Sequence, residues 1–145
     1  VQKYQFPNVQ LGLEITEQDA LSSSIDITKK IEALKAKGHR FLIDDFGMGH
    51  TSLVYLQTKY FNIVKLDGSL TRDVIHNETN RDIIASIVYL GRSLKFKIIA
   101  EYVENEAQRD ELKKLGCDAF QGYLYSKPIK LDELMSWIKG SGHES

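Results

Sequence analysis

Breakers and cross-links are scarce in this sequence: two prolines, one cysteine and one tryptophan occur in 145 residues. A single thiol, Cys117, cannot close an internal disulfide, which excludes a disulfide-stapled secreted scaffold. No apolar run approaches the roughly 18 residues that a membrane-spanning helix needs. Charge of one sign is not in excess either, because 19 Lys and Arg face 20 Asp and Glu, a formal net charge of −1. That balance argues against a nucleic-acid polymer or a membrane surface as partner, and leaves room for an anionic ligand held through a metal. No signal peptide opens the chain, and Val1 is not an initiator Met. The chain therefore reads as processed, or cut from something longer.

What is present is a rhythm. Short runs rich in Ile, Val, Leu and Phe recur at 9–15, 41–45, 63–67 and 97–101, with a weaker one at 118–120. Runs of about five such residues suit buried strands. Amphipathic segments lie between them. Ile27, Ile31 and Leu34 share a helical face that stops before Gly38. Ile83, Ile84, Ile87, Val88 and Leu94 form a second, with Asn80 as the expected N-cap. Leu112 and Leu115 follow a cap candidate, Asn105, and stop at Gly116, and Leu131, Leu134 and Ile138 make the last helix. Alternating strands and helices imply a parallel sheet with right-handed crossovers. Such a sheet belongs to a doubly wound fold or to part of a (β/α)8 barrel, and composition does not separate the two. Residues 1–139 read as one domain portion and 140–145 as a flexible tail.

Side-chain parity along the strands carries the first functional signal. Glu14 points opposite to Leu13 and Ile15, Lys65 and Asp67 point opposite to Val64 and Leu66, and Glu101 points opposite to Ile98 and Ala100. Asp44 and Asp45 end a further strand. Taken singly, these residues have ordinary explanations: an Asx-turn for Asp44-Asp45, a snorkelling surface lysine for Lys65, a first-turn helix acid for Glu104. The four histidines show no ligand spacing, and Tyr123 and Tyr125 are expected to fill a loop near the sheet. Recurrence at equivalent strand ends lifts the acids above those explanations. Carboxylates at the C-terminal ends of neighbouring parallel strands meet on the rim where such folds bind ligands. Crowded together they repel unless a cation or a proton intervenes, and hard divalent ions prefer such oxygen donors. A lysine among them suits electrostatic work in phosphoryl chemistry. An unrelated metal-dependent (β/α)8 lyase or aldolase would use the same features.

The blocks Leu13-Glu14-Ile15-Thr16-Glu17, Asp44-Asp45-Phe46-Gly47-Met48-Gly49, Lys65-Leu66-Asp67, Ala100-Glu101-Tyr102-Val103-Glu104 and Gln121-Gly122-Tyr123 fall in the order and spacing of the EAL domain. The chain resembles that family, the bacterial cyclic-di-GMP phosphodiesterases, from about Leu11 to Ile138. The resemblance implies a partial TIM-type (β/α)8 barrel comprising about the last five β/α units, with the N-terminal strands missing. It implies a two-metal site for Mg²⁺ or Mn²⁺ in which Glu14 and Asp44 hold one ion, and Asp44, Asp45 and Glu101 the other. Lys65 would hold or polarise the attacking water, and Glu104 would assist catalysis. Asp67 and Gln121 would support the metal shell or the dinucleotide, and Glu17 would brace the loop from Phe46 to Leu53. The implied reaction opens cyclic-di-GMP to linear pGpG.

The sequence also departs from the family pattern. The motif that names the family and an Asn of the first metal's shell belong upstream of Glu14. The chain alone is therefore expected to bind metal weakly and turn over little. Tyr102 stands where the family has Gly, and is expected to crowd the second metal or redirect the loop. Met48 and His50 replace the usual small and polar residues. A degenerate module that binds nucleotide or serves as a dimerisation scaffold is the alternative reading. Five strands cannot close a barrel, so a homo-oligomer or swapped dimer is expected. An attached sensor or diguanylate-cyclase-like domain and a cytoplasmic location complete what the resemblance implies.

Overall fold

Five parallel strands stand side by side in the same order as in the sequence. A computed structural model describes residues 12–16, 25–46 and 61–140. Glu17, Met48 and His50, the loop beyond Phe46 and the tail beyond Gly140 lie outside the described residues. The strands are β1 (Gly12–Thr16), β2 (Arg40–Phe46), β3 (Ile63–Leu66), β4 (Lys97–Ala100) and β5 (Ala119–Phe120). Helix α1 (Ile25–Ala36) joins β1 to β2. A short α2 (Gly68–Thr71) and a long α3 (Glu78–Leu94) join β3 to β4. Helix α4 (Glu106–Leu115) leads into β5, and α5 (Leu131–Gly140) follows it.

Strand order settles the choice that composition left open. A doubly wound sheet reverses its winding at a switch point, and this sheet has none. Sequential right-handed crossovers put the helices on one face and leave the other as the inside of a barrel wall. Register assigns the faces. Val64, Leu66, Ile98 and Ala100 are buried on the helix side, against Ile84 and Val88 of α3 and Leu112 of α4. Burying each such aliphatic side chain contributes about 1.5–3 kcal/mol. Gly12, Glu14, Leu42, Asp44, Ile63, Lys65 and Ile99 share the other face.

The helix ends follow the sequence with one correction. Asn105 caps α4, and Gln108 returns the favour to the Asn105 backbone in a capping box. Gly116 ends that helix in the left-handed conformation, at φ 103°. The cap of α3 is Asn77, one turn before the expected Asn80. Asn80 instead receives the cap through its backbone, and its side chain donates to the carbonyls of Ser69 and Leu70. The side-chain amide thus ties α3 to α2, a tertiary role that local spacing does not reveal. Tyr123 and Tyr125 fill no interior space, being 59% and 47% exposed. Among the described residues no helix is long and apolar enough to cross a membrane.

Ile98 is 1% exposed between the sheet and α3. Ile98→Ala is expected to cost about 2–5 kcal/mol in urea unfolding. Tyr89→Ala, on a residue 74% exposed, is expected to stay within about 0.5 kcal/mol. Equal effects would contradict this assignment of faces.

Candidate active site

Two consecutive aspartates on a regular strand would point to opposite faces. Strand β2 avoids this with a bulge. Its pairing with β3 runs Ile43 to Val64 but then Phe46 to Leu66, so β2 carries one extra residue there. Asp45 takes the left-handed conformation, φ 55°, which aspartate adopts more readily than most residues. Asp44, Asp45 and Glu101 then offer carboxylate oxygens all within 4.8 Å of one another.

Lys65 sits beneath this group. It is 2% exposed, the reverse of a snorkelling lysine. Its Nζ lies 2.5 Å from Glu101 Oε1, 3.0 Å from Glu14 Oε2 and 3.2 Å from Asp44 Oδ1. Burial by itself would lower the lysine's pKa; the bonds to Glu101 and Glu14, with Asp44 beside them, outweigh it and hold the pKa above its ordinary value. Burial raises the pKa of Glu101, the Lys65 ammonium opposes that, and Asp44 and Glu14 add to it, for a net rise. Asp45 is raised as well, first by burial and then by Asp44 and Asp67. The contact to Asp44 lies outside hydrogen-bond geometry, so its buried Oδ1 keeps unused acceptor capacity. A buried anionic oxygen with no hydrogen-bond donor among the described residues, beside two more carboxylates, is the donor set a hard divalent cation takes.

Glu101 is held from behind. Thr71, fully buried, donates its hydroxyl to the Glu101 carbonyl at 2.5 Å. The following residue, Tyr102, is left-handed at φ 53°, a conformation suited to the glycine of the family pattern. The Tyr102 ring lies against Gly68, where a Cβ would collide with it, and beneath the Arg72 guanidinium, 4.0 Å from the ring centroid. Gly122 passes so close to the Val103 backbone that a Cβ would overlap it, which lets Gln121 and Leu124 bracket Val103 with hydrogen bonds.

These elements frame a cleft of about 440 Å³ whose lining includes Asp44, Asp45, Glu101, Glu104 and Gln121 together with Arg72, Tyr102 and Tyr123. The sequence-expected residues divide accordingly. Asp44, Asp45 and Glu101 converge, Glu14 reaches the group through Lys65, and Glu104 and Gln121 line the cleft. Asp67 stands at the rim but is committed to capping α2, accepting from the Ser69 N–H at 2.8 Å. Arg72 and Thr71 were missed by sequence reasoning, since nothing local separates them from surface and helix residues.

Burial would raise the pKa of Asp67, but the bonds from Ser69 and Gly68 outweigh it and lower the pKa. A depressed carboxyl contributes stability above its unfolded pKa and loses it as pH falls through the folded one. Asp67→Ala is therefore expected to cost about 1 kcal/mol at pH 7. Chemical denaturation at several pH values should show that difference shrinking below about pH 3.9, the unfolded value. A difference that grows on acidification would contradict it.

Comparison with known proteins adds a second line. PdeF, a cyclic di-GMP phosphodiesterase of Escherichia coli K12, is 38% identical over 137 residues, or 94% of this chain and 18% of PdeF. MucR of Pseudomonas aeruginosa, a bifunctional diguanylate cyclase/cyclic di-GMP phosphodiesterase, is 38% identical over 128 residues, or 88% of this chain and 19% of MucR. The solved PaMucR phosphodiesterase in its c-di-GMP complex superposes with a TM-score of 0.75, covering 85% of this chain and 50% of that one. Klebsiella pneumoniae BlrP1, solved with manganese and cy-diGMP, gives a TM-score of 0.73 at 32% identity, covering 81% of this chain and 30% of BlrP1. The chain thus spans under a fifth of the curated relatives, 18% and 19% of their lengths. The EAL domain family matches residues 1–128, and with the barrel-wall sheet and the acidic rim already in place, this chain belongs to the EAL domain family.

Proposed function

We propose that this chain supplies part of the active-site rim of a metal-dependent phosphodiesterase that hydrolyses cyclic-di-GMP to linear pGpG. The observation that carries the reading is the meeting of Asp44, Asp45 and Glu101 within 4.8 Å above a buried Lys65. It is supported by the names of PdeF and MucR and by the c-di-GMP complexes of PaMucR and BlrP1.

The residues divide the work. Asp44, Asp45 and Glu101 would hold one Mg²⁺ or Mn²⁺, and Glu14 with Asp44 a second. A bound pair of ions supplies Lewis acidity toward the phosphoryl oxygens and lowers the pKa of water. Lys65, kept protonated by its acidic neighbours, would orient the attacking water by donating from Nζ. Glu104 and Gln121, on the cleft wall, would contact that water or the dinucleotide, and Asp67 would support the rim. Bacterial second-messenger signalling, a cytoplasmic location and an attached sensor or cyclase-like domain are proposed with this reading, the last supported by the bifunctional name of MucR. Association of copies is proposed too, supported by β1 and β5 being the outer strands of the described sheet.

The test is chromatography of cyclic-di-GMP incubated with the full-length protein that carries this chain. With Mn²⁺ or Mg²⁺, pGpG should accumulate, and chelation should stop it. Asp45→Asn and Glu101→Gln should each lower the rate at least about 100-fold, since even residues that merely support metal ligands are worth 10–100-fold. Binding of cyclic-di-GMP without metal-dependent turnover would overturn the enzymatic reading in favour of a scaffold.

A further inference from the structure

The cleft poses an electrostatic problem. Four of its lining residues are carboxylates, Asp44, Asp45, Glu101 and Glu104, whereas a cyclic dinucleotide brings two phosphodiester anions. Lys65 lies beneath the acids and is engaged by two of them, Asp44 and Glu101, and by Glu14. Among the described residues, Arg72 is the cation on the lining itself. Among the described residues no carboxylate stands within ion-pair distance of its guanidinium, which rests on the Tyr102 ring.

The placement of that guanidinium is built from several directions. The Arg72 N–H donates to the Gly68 carbonyl, and the Arg72 carbonyl accepts from Gln108 Nε2 at 2.9 Å. Gln108 is itself buried and fixed by the capping box of α4. Thr71, the residue before, holds the carbonyl of Glu101, the residue before Tyr102. Gly68 leaves the space that the Tyr102 ring fills, since any Cβ there would meet the ring. Tyr102 thus combines a left-handed backbone conformation, costly for a residue with a side chain, with a ring 4.0 Å from the Arg72 guanidinium carbon. An arginine so fixed, with no hydrogen-bond or ion-pair partner for its guanidinium among the described residues, suits an oxyanion of tetrahedral geometry.

Building on the phosphodiesterase reading, we propose that Arg72 binds a phosphate oxygen of the dinucleotide, with Tyr102 as the positioning residue that holds its guanidinium toward the cleft. Arg72 lines the cleft but is not among the groups that meet at Lys65 or in the Asp44, Asp45 and Glu101 cluster, so it acts on binding rather than on the cleavage step. Tyr102 accordingly shapes substrate binding rather than crowding the metal ligands.

Steady-state kinetics of the full-length protein with Mn²⁺ and cyclic-di-GMP test this. Arg72→Ala should raise KM about tenfold, the loss of one charge-assisted hydrogen bond. Its kcat should stay within about twofold, because binding lost equally from ground and transition states leaves kcat alone. The salt dependence of KM should flatten in the same variant, through loss of one charge contact. Tyr102→Gly removes the ring yet relaxes the left-handed backbone, so it should fold, and should raise KM about threefold through the lost ring–cation contact. Tyr102→Phe keeps the ring and should restore the wild-type KM. An unchanged KM in Arg72→Ala, or a fall in kcat alone, would overturn the inference while normal wild-type turnover leaves the phosphodiesterase reading intact. A wild-type protein that neither hydrolyses nor binds cyclic-di-GMP would sink both.

Discussion

One buried ammonium organises the rim. Lys65 is 2% exposed and touches Glu14, Asp44 and Glu101, which arrive from three different strands. Without a cation among them, these carboxylates would repel across a few ångströms in a medium that screens poorly. The lysine makes their convergence tolerable before any metal arrives, at the cost of its own desolvation. The arrangement also explains why Glu101 is drawn in two directions, its pKa raised by burial and by the other acids while Lys65 opposes the rise.

Around that charge cluster the backbone is shaped to present oxygen atoms. The bulge in β2 brings two successive aspartates to one rim, and the left-handed turn at Tyr102 carries the chain away from Glu101. Both departures from regular strand geometry sit beside carboxylates of the cluster, where a fold keeps conformations it would avoid elsewhere. Thr71 and Gln108, two of the buried polar residues, fasten the same region through backbone carbonyls. Buried polar groups are thus spent on fixing α2 and the end of β4 against each other.

The architecture was legible because its signals are local. Strand parity at Lys65 and Glu101 and the caps at Asn105 and Gly116 rest on spacing alone. Barrel against doubly wound sheet was not legible in composition or periodicity, since strand order is a property of the assembled sheet; only the resemblance to the EAL domain pointed to the barrel. The residues of the acidic rim could be named from sequence, but the burial of Lys65 could not. A lysine in a five-residue strand reads the same whether it meets solvent or three acids. The Asn80 side chain and the Arg72–Tyr102 pair escaped for the same reason, because each depends on a partner in another element. Tyr102 could be flagged as a departure from a glycine position, yet the direction of its ring waited on Gly68, which supplies the space.

The most direct test of the charge-compensated rim is thermal melting of wild-type and Lys65→Met full-length protein at neutral pH, with and without Mn²⁺. Removing the buried cation strands the acids, which costs about 3–5 kcal/mol in comparable buried pairs. The expected result is a metal-free variant that melts well below wild type, and a Mn²⁺-induced rise in Tm larger in the variant than in wild type. A variant that melts like wild type without metal, or gains no more from Mn²⁺, would contradict the claim that Lys65 holds these carboxylates together.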